Sequence, residues 1–274
     1  MIPKWLHGTR VGIYDLETDF TPTTEIFCNS VSILDIADDG SYTVTPARVF
    51  TQFWTPYSTG SLMESVTLLD TCDYVCAHNL MGFDLPEVKK HLGVTLKGTP
   101  LDTIILAKLI FTKDDLFGID ASLKIDKNQY GKYSLKAFGQ RLGDFKIDYS
   151  DFTHLNAEMA RYCNKDTDVA TQLLIFLLEK EEFPLEEVVI LEHKAAAIIA
   201  EQTALGFYFD VDSARTLNTK LLTEKLEIAT ALAETFHPKF LKEGPVKSYK
   251  KLSKVKKYLP NNHYTPLLGT KYGL

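Results

Sequence analysis

The sequence has no run approaching the roughly 18–20 apolar residues that a membrane span requires, so no membrane partner is expected. Met1 to Arg10 carries a lysine, a histidine and an arginine but no apolar core, so it does not read as a secretory leader. Cysteine is scarce, with Cys28, Cys72, Cys76 and Cys163 in 274 residues. Three residues separate Cys72 from Cys76 and no second pair follows. That excludes the usual zinc spacings and leaves reduced, buried thiols as the expectation. Internal repeats and low-complexity stretches are missing too. At 45% hydrophobic and 24% charged residues, disorder is not expected. The length suits one large domain, or one domain with a smaller addition.

Positive charge is thin over most of the chain. Residues 1–238 hold 21 basic and 35 acidic residues, net −14. From Lys239 onward there are nine lysines and one acid, Glu243, net +8. An acidic body repels a phosphate backbone unless cations intervene, whereas the tail attracts one. The stretch "KFLKEGPVKSYKKLSKVKKY" fits either DNA contact or a solvated, partly disordered tail.

What is present is ordered by type. "RVGIYDLET", "EIFCNSVSILDIAD" and "SYTVTPARVFT" are β-prone and separated by short turns, which predicts an antiparallel meander. "SLMESVTLLDTCD" has helical spacing, and "YVCAHN" reads as a short strand. Helices are predicted from Phe83 to Leu92, stopping at Gly93, and over "LDTIILAKLIF" with Asp102 as cap. Residues 112–133 show no clear period and read as a long loop or insertion. A short helix follows Ser134, and one long helix runs from Asn156 to Glu182. After Pro184 another helix runs to Gly206, and a last one is capped by Asp212 or Ser213. Strands, then alternating elements, then helices predict an α/β layered domain with a helical extension.

Within the first strand, Asp15 and Glu17 sit two residues apart and so project from one face. Two close carboxylates raise each other's pKa unless something positive lies between them, and a hard divalent cation is one solution. A solvent-exposed strand end is the plainer alternative, and on this pair alone the better one. In "AHNLMGFDLPEV", Asp84 starts a helix, where an acid also serves simply to cap amides. In "MARYCNKDTDVATQLL", Tyr162 and Asp166 lie one helical turn apart on one face. Asp168 points about 200° away and is expected to be solvated.

Taken together, Asp-x-Glu, then Asn-x-x-x-Phe-Asp, then Tyr-x-x-x-Asp resembles the DEDDy group of 3′→5′ exonucleases (DnaQ-like). "SLKAFGQRLGDFKIDYSDF" and "LEHKAAAIIAEQTALGFYFDVDSARTL" are similar to segments of phage-type family A DNA polymerases with an N-terminal proofreading domain. The resemblance covers roughly residues 11–236. It implies a ribonuclease H-like mixed sheet flanked by helices, followed by a helical extension. The implied division is an exonuclease domain over 1–183, a helical extension leading towards a thumb over 184–236, and a basic tail over 237–274. No Arg-x-x-x-Lys fingers helix leading to Tyr-Gly and no His-Asp dipeptide is present, so fingers and palm are expected to be lacking. The chain then reads as a piece cut before the palm or as an exonuclease subunit of a split polymerase, with a separate polymerase chain as partner.

The same resemblance implies the chemistry. Asp15, Glu17, Asp84 and Asp166 would ligate two Mg²⁺ or Mn²⁺ ions, with Tyr162 and Glu17 orienting an attacking water. Thr18 and Asn79 would lie near the terminal nucleotide of a single-stranded or frayed DNA 3′ end. The implied setting is a soluble, cytoplasmic protein, phage-encoded and working in an infected bacterial cell. Two other classes stay open: an RNA-directed enzyme like RNase D, and a non-catalytic DNA- or polymerase-binding module.

Overall fold

A computed structural model describes residues 1–19, 22–147 and 149–235. The expected basic tail over 237–274 lies outside the described residues. The chain forms two compact units, Met1–Gly206 and Phe207–Leu274.

The first unit is built on a six-stranded sheet of order β4-β3-β2-β1-β5-β6. The expected meander supplies β1 (Arg10–Thr18), β2 (Ile26–Ile36) and β3 (Tyr42–Thr51), paired antiparallel. The short strands β4 (Gly60–Ser61), β5 (Tyr74–Ala77) and β6 (Thr99–Asp102) add on parallel to their neighbours. β1 is therefore central, with an antiparallel partner on one side and a parallel one on the other. Helices α1 (Leu62–Leu69), α2 (Asp84–Leu92), α3 (Thr103–Ile110), α5 (Leu135–Leu142), α6 (Ala157–Leu178) and α7 (Glu186–Leu205) follow in this unit. The expected fold class, a mixed α/β sheet flanked by helices, is the one found.

Alternation along β1 divides the core between the two faces of the sheet. Tyr14 and Leu16 pack with Leu62, Val66, Leu69 and Val88 of α1 and α2. Val11 and Ile13 pack with Leu106, Phe138 and the Val169–Leu178 stretch of α3, α5 and α6. Burial on both faces explains why β1 reads as an almost unbroken apolar run.

Two expectations need correction. Residues 112–133 are no loop: α4 spans Lys113–Leu123 and a 3-10 turn spans Lys127–Gln129. Thr112 and Asp115 form a capping box, with each side chain bonded to the other's backbone N–H. The period is hidden because the inward residues of α4 are Leu116 and an acid, Asp120. Asp120 is fully buried and paired with Arg141, so the stripe is half ionic and a hydrophobic count misses it. In the second unit, α8 (Val211–Thr235) is capped by Asp210, not by Asp212 or Ser213. The Asp210 carboxylate accepts from Ser213 N at 2.9 Å and Ser213 Oγ at 2.6 Å. No described helix is long and apolar enough to cross a membrane.

Candidate active site

Asp15 and Glu17 share the β1 face that meets α6. Their carboxylate oxygens and Cys163 Sγ of α6 all lie within 4.8 Å of one another. The two carboxyl groups act directly on one another. Glu17 is buried and Asp15 half-buried, so this end of the strand is not the solvated one the plainer reading required. A bulge after Glu17 ends the regular pairing with β2, and the Thr18 hydroxyl beyond it donates to Asp19 O at 3.1 Å.

α6 is fixed on this face by its own polar residues. Asn156 caps it, accepting from Met159 N at 2.8 Å. Ser30 Oγ of β2 donates to Asn164 Oδ1 at 2.6 Å, and Thr167 Oγ1 donates to Ser30 O at 3.3 Å. That seating brings Tyr162 and Asp166 over the β1 acids. Lys146 Nζ forms an ion pair with Asp166 Oδ2 and lies 5.2 Å from the centre of the Tyr162 ring. Asp166 Oδ1 is buried with no hydrogen-bond partner among the described residues. Asp168 is exposed, as its angle on the helix predicts.

Asp84 is the first residue of α2 and is buried. It lies close enough to the strand for the charge of Asp15 to act on it. Asn79 lies in the turn between β5 and α2, exposed, with φ of 76°. Asparagine tolerates this left-handed conformation better than most residues. Asp102 holds the turn: its carboxylate accepts from Asn79 N at 3.1 Å, Met81 N at 3.0 Å and Ile104 N at 2.9 Å. The capping of α3 was legible in the sequence, but the pinning of the Asn79 turn was not. Asp102 N in turn donates to His193 Nε2 of α7 at 2.7 Å.

Electrostatics follow from this crowding. Burial, and then Asp166, push Asp15 up to about 7 against the pull of Lys146. Burial and then Asp15 hold Glu17 well above the usual carboxylate range. Burial, Asp15 and Asp102 do the same to Asp84. Burial also raises Asp166, opposed by Lys146. The Tyr162 phenol is raised by burial and by the acids, so it is protonated at neutral pH. His78, missed by the sequence reading, is pulled down to about 3 by burial and by Lys146.

The donor set fits a hard divalent cation. Three carboxylates from β1 and α6, one with an orphaned buried oxygen, offer oxygen ligands of the kind Mg²⁺ and Mn²⁺ take. Cys163 is near but is no ligand for such an ion. Burial raises its thiol well above the usual range, and its S–H donates to Asp15 O at 3.3 Å.

A stability prediction follows. A carboxyl whose folded pKa lies above its unfolded value favours the folded state at low pH, and that contribution is lost as pH rises through the folded pKa. For Asp15 the loss runs from about pH 4 to about pH 7. Without divalent ions, Asp15→Asn is therefore expected to stabilise the protein, by roughly 2–3 kcal/mol more at pH 8 than at pH 5. Denaturant unfolding in EDTA at the two pH values measures this; an equal change at both would contradict it.

No family model matches the chain. It is similar to the DNA-directed DNA polymerases of Escherichia phage T7 and Enterobacteria phage T3. Each is 29% identical over a 203-residue alignment that covers 58% of this chain and 29% of the relative. The chain thus spans under a third of the length of these curated relatives. A family B DNA polymerase from the hyperthermophilic archaeon Pyrobaculum calidifontis aligns with 72% of this chain and 29% of its own, at 14% identity and a TM-score of 0.32. That likeness is too slight to bear on the site, whereas the two phage polymerases place the chain's sequence similarity among DNA polymerases.

Proposed function

We propose that this chain is a metal-dependent 3′→5′ exonuclease that releases nucleoside 5′-monophosphates from DNA 3′ ends, as the proofreading part or subunit of a family A DNA polymerase. One observation carries the reading. Asp15 and Glu17 of β1, Asp84 of α2, and Tyr162 and Asp166 of α6 are far apart in sequence, yet their charges act on one another at one spot. Similarity to the phage polymerases supports DNA as the polymer attacked.

Asp15, Glu17 and Asp166, with Asp84 behind them, would hold two Mg²⁺ or Mn²⁺ ions. Bound there, such ions supply Lewis-acid stabilisation of the phosphoryl centre and lower the pKa of an attacking water. The residues of the chain do the positioning. Glu17 and the protonated Tyr162 hydroxyl orient the water for in-line attack. The Asn79 turn and Thr18 flank the place for the terminal nucleotide. A terminal nucleotide must leave its stack to reach carboxylates this enclosed, so single-stranded or frayed ends are preferred.

The test is digestion of a 5′-labelled single-stranded DNA and of the matching RNA, with Mg²⁺ and with EDTA. Stepwise Mg²⁺-dependent shortening of the DNA is expected. Shortening of RNA alone would move the reading to an RNase D-like enzyme. No shortening of either strand would leave a binding module.

A further inference from the structure

Lys146 belongs to no helix or strand, yet it stands among the acids. It lies between α5 and α6, and its side chain is 16% exposed. Its Nζ pairs with Asp166 Oδ2 and lies 5.2 Å from the centre of the Tyr162 ring. Its charge reaches Asp15, Glu17 and Asp166 alike. Lys165 also acts on Asp166, but it is engaged in an ion pair with Asp144.

The chain on either side of Lys146 is tied down. Asp144 N donates to Gly139 O at 2.9 Å, and Gln172 Nε2 of α6 donates to Asp144 Oδ2 at 2.7 Å. A Cβ on Gly139 would meet Asp144 O at 2.6 Å, so the close crossing requires glycine there. On the far side, Tyr149 stacks on Tyr162 with centroids 5.4 Å apart, and Phe152 meets the same ring edge-on at 6.1 Å. Asn156 Nδ2 donates to Tyr149 Oη at 2.9 Å. Lys146 is thus held over the site by both flanks, and ordering a long, flexible side chain there is unfavourable unless its charge is used.

A phosphodiester entering this site brings a negative charge against at least four carboxyl groups. Its non-bridging oxygens need donors, and an ammonium has three N–H groups, of which Asp166 Oδ2 takes one. We infer that Lys146 is a further catalytic residue of the site, its ammonium donating to a non-bridging oxygen of the scissile phosphate. The inference rests on the exonuclease reading above. In the step it serves, an O–P bond forms from water and the P–O3′ bond of the preceding nucleotide breaks. The 3′ oxygen leaves with a proton derived from that water, and Lys146 keeps its own proton throughout. When its ammonium turns to the phosphate, Asp166 Oδ2 is released for cation binding.

The inference therefore gives two effects of opposite sign, which a merely structural lysine would not give. Single-turnover digestion of single-stranded DNA with saturating Mg²⁺ is compared for the parent, Lys146→Met and Lys146→Arg, alongside Mn²⁺ titration of the DNA-free proteins and their thermal melts. Lys146→Met is expected to cleave about 10²-fold more slowly, the usual loss for one charge-stabilising donor. Its Mn²⁺ affinity is expected to be unchanged or tighter, and any fall in its melting temperature without metal, from the loss of the Asp166 counter-charge, to be recovered when Mn²⁺ is added. Lys146→Arg, which keeps the charge, is expected to recover most of the rate. Cleavage by Lys146→Met within about threefold of the parent, Mn²⁺ affinity lost together with the rate, or no recovery in Lys146→Arg would each overturn the inference. An inactive parent would instead remove the exonuclease reading itself.

Discussion

The double variant Asp15→Ala, Glu17→Ala is expected to lose at least about 10⁴-fold in the rate of DNA 3′-end shortening, because in the proposed mechanism two of the four oxygen donors vanish and the water-orienting carboxylate goes with them. Unfolding is not the expected reason. Both acids sit in the folded protein with raised pKa values, so their charges oppose folding at neutral pH. The variant should melt no lower than the parent in EDTA. Undiminished digestion, or loss of activity only together with a collapsed melting temperature, would remove these two residues from the catalytic centre.

The largest stability effect is expected far from those acids, at the Asp120–Arg141 pair. Arg141 Nε and Nη2 donate to the two Asp120 oxygens at 2.7 and 2.9 Å, Gly131 N donates to Oδ2 at 2.8 Å, and Arg141 Nη1 donates to Lys132 O at 2.7 Å. The Arg141 side chain is 4% exposed and that of Asp120 fully buried. Asp120→Ala leaves a buried guanidinium without its counter-charge and should destabilise the protein by about 3–5 kcal/mol. Adding Arg141→Met should restore much of that loss, since a well-packed apolar pair often replaces a buried ion pair at little penalty. Urea denaturation midpoints of the three proteins measure this. A shift under about 1 kcal/mol for Asp120→Ala would show that α4 does not depend on the pair.

These two regions differ in how far the sequence disclosed them. The meander, α2 and α6 were legible because each carries a regular period closed by a recognisable stop: Gly93 after α2 and Asn156 before α6. The Asp15/Glu17 pair and the Tyr162/Asp166 pair were legible for the same reason, since i,i+2 on a strand and i,i+4 on a helix each define a face. α4 was not, because its inward stripe is half ionic and its partner Arg141 lies across a turn. β6 was hidden by brevity, four residues with Pro100 among them. Lys146 and His78 belong to no period. Lys146 is delivered by a segment that contacts on α5 and α6 hold in place, and such contacts have no local signature. Asp102 falls between the cases: one of its roles, the helix cap, is local and readable, while the pinning of the Asn79 turn needs the third dimension.

The central claim is that acids from β1, α2 and α6 form one hydrolytic centre acting on DNA 3′ ends. Product identification from a single-stranded DNA labelled differently at its two ends tests it most directly. With Mg²⁺, the expected result is early release of the 3′ label as a nucleoside 5′-monophosphate, while the 5′ label stays on a shortening ladder. Early release of the 5′ label, nucleoside 3′-monophosphates, or an intact strand would contradict it.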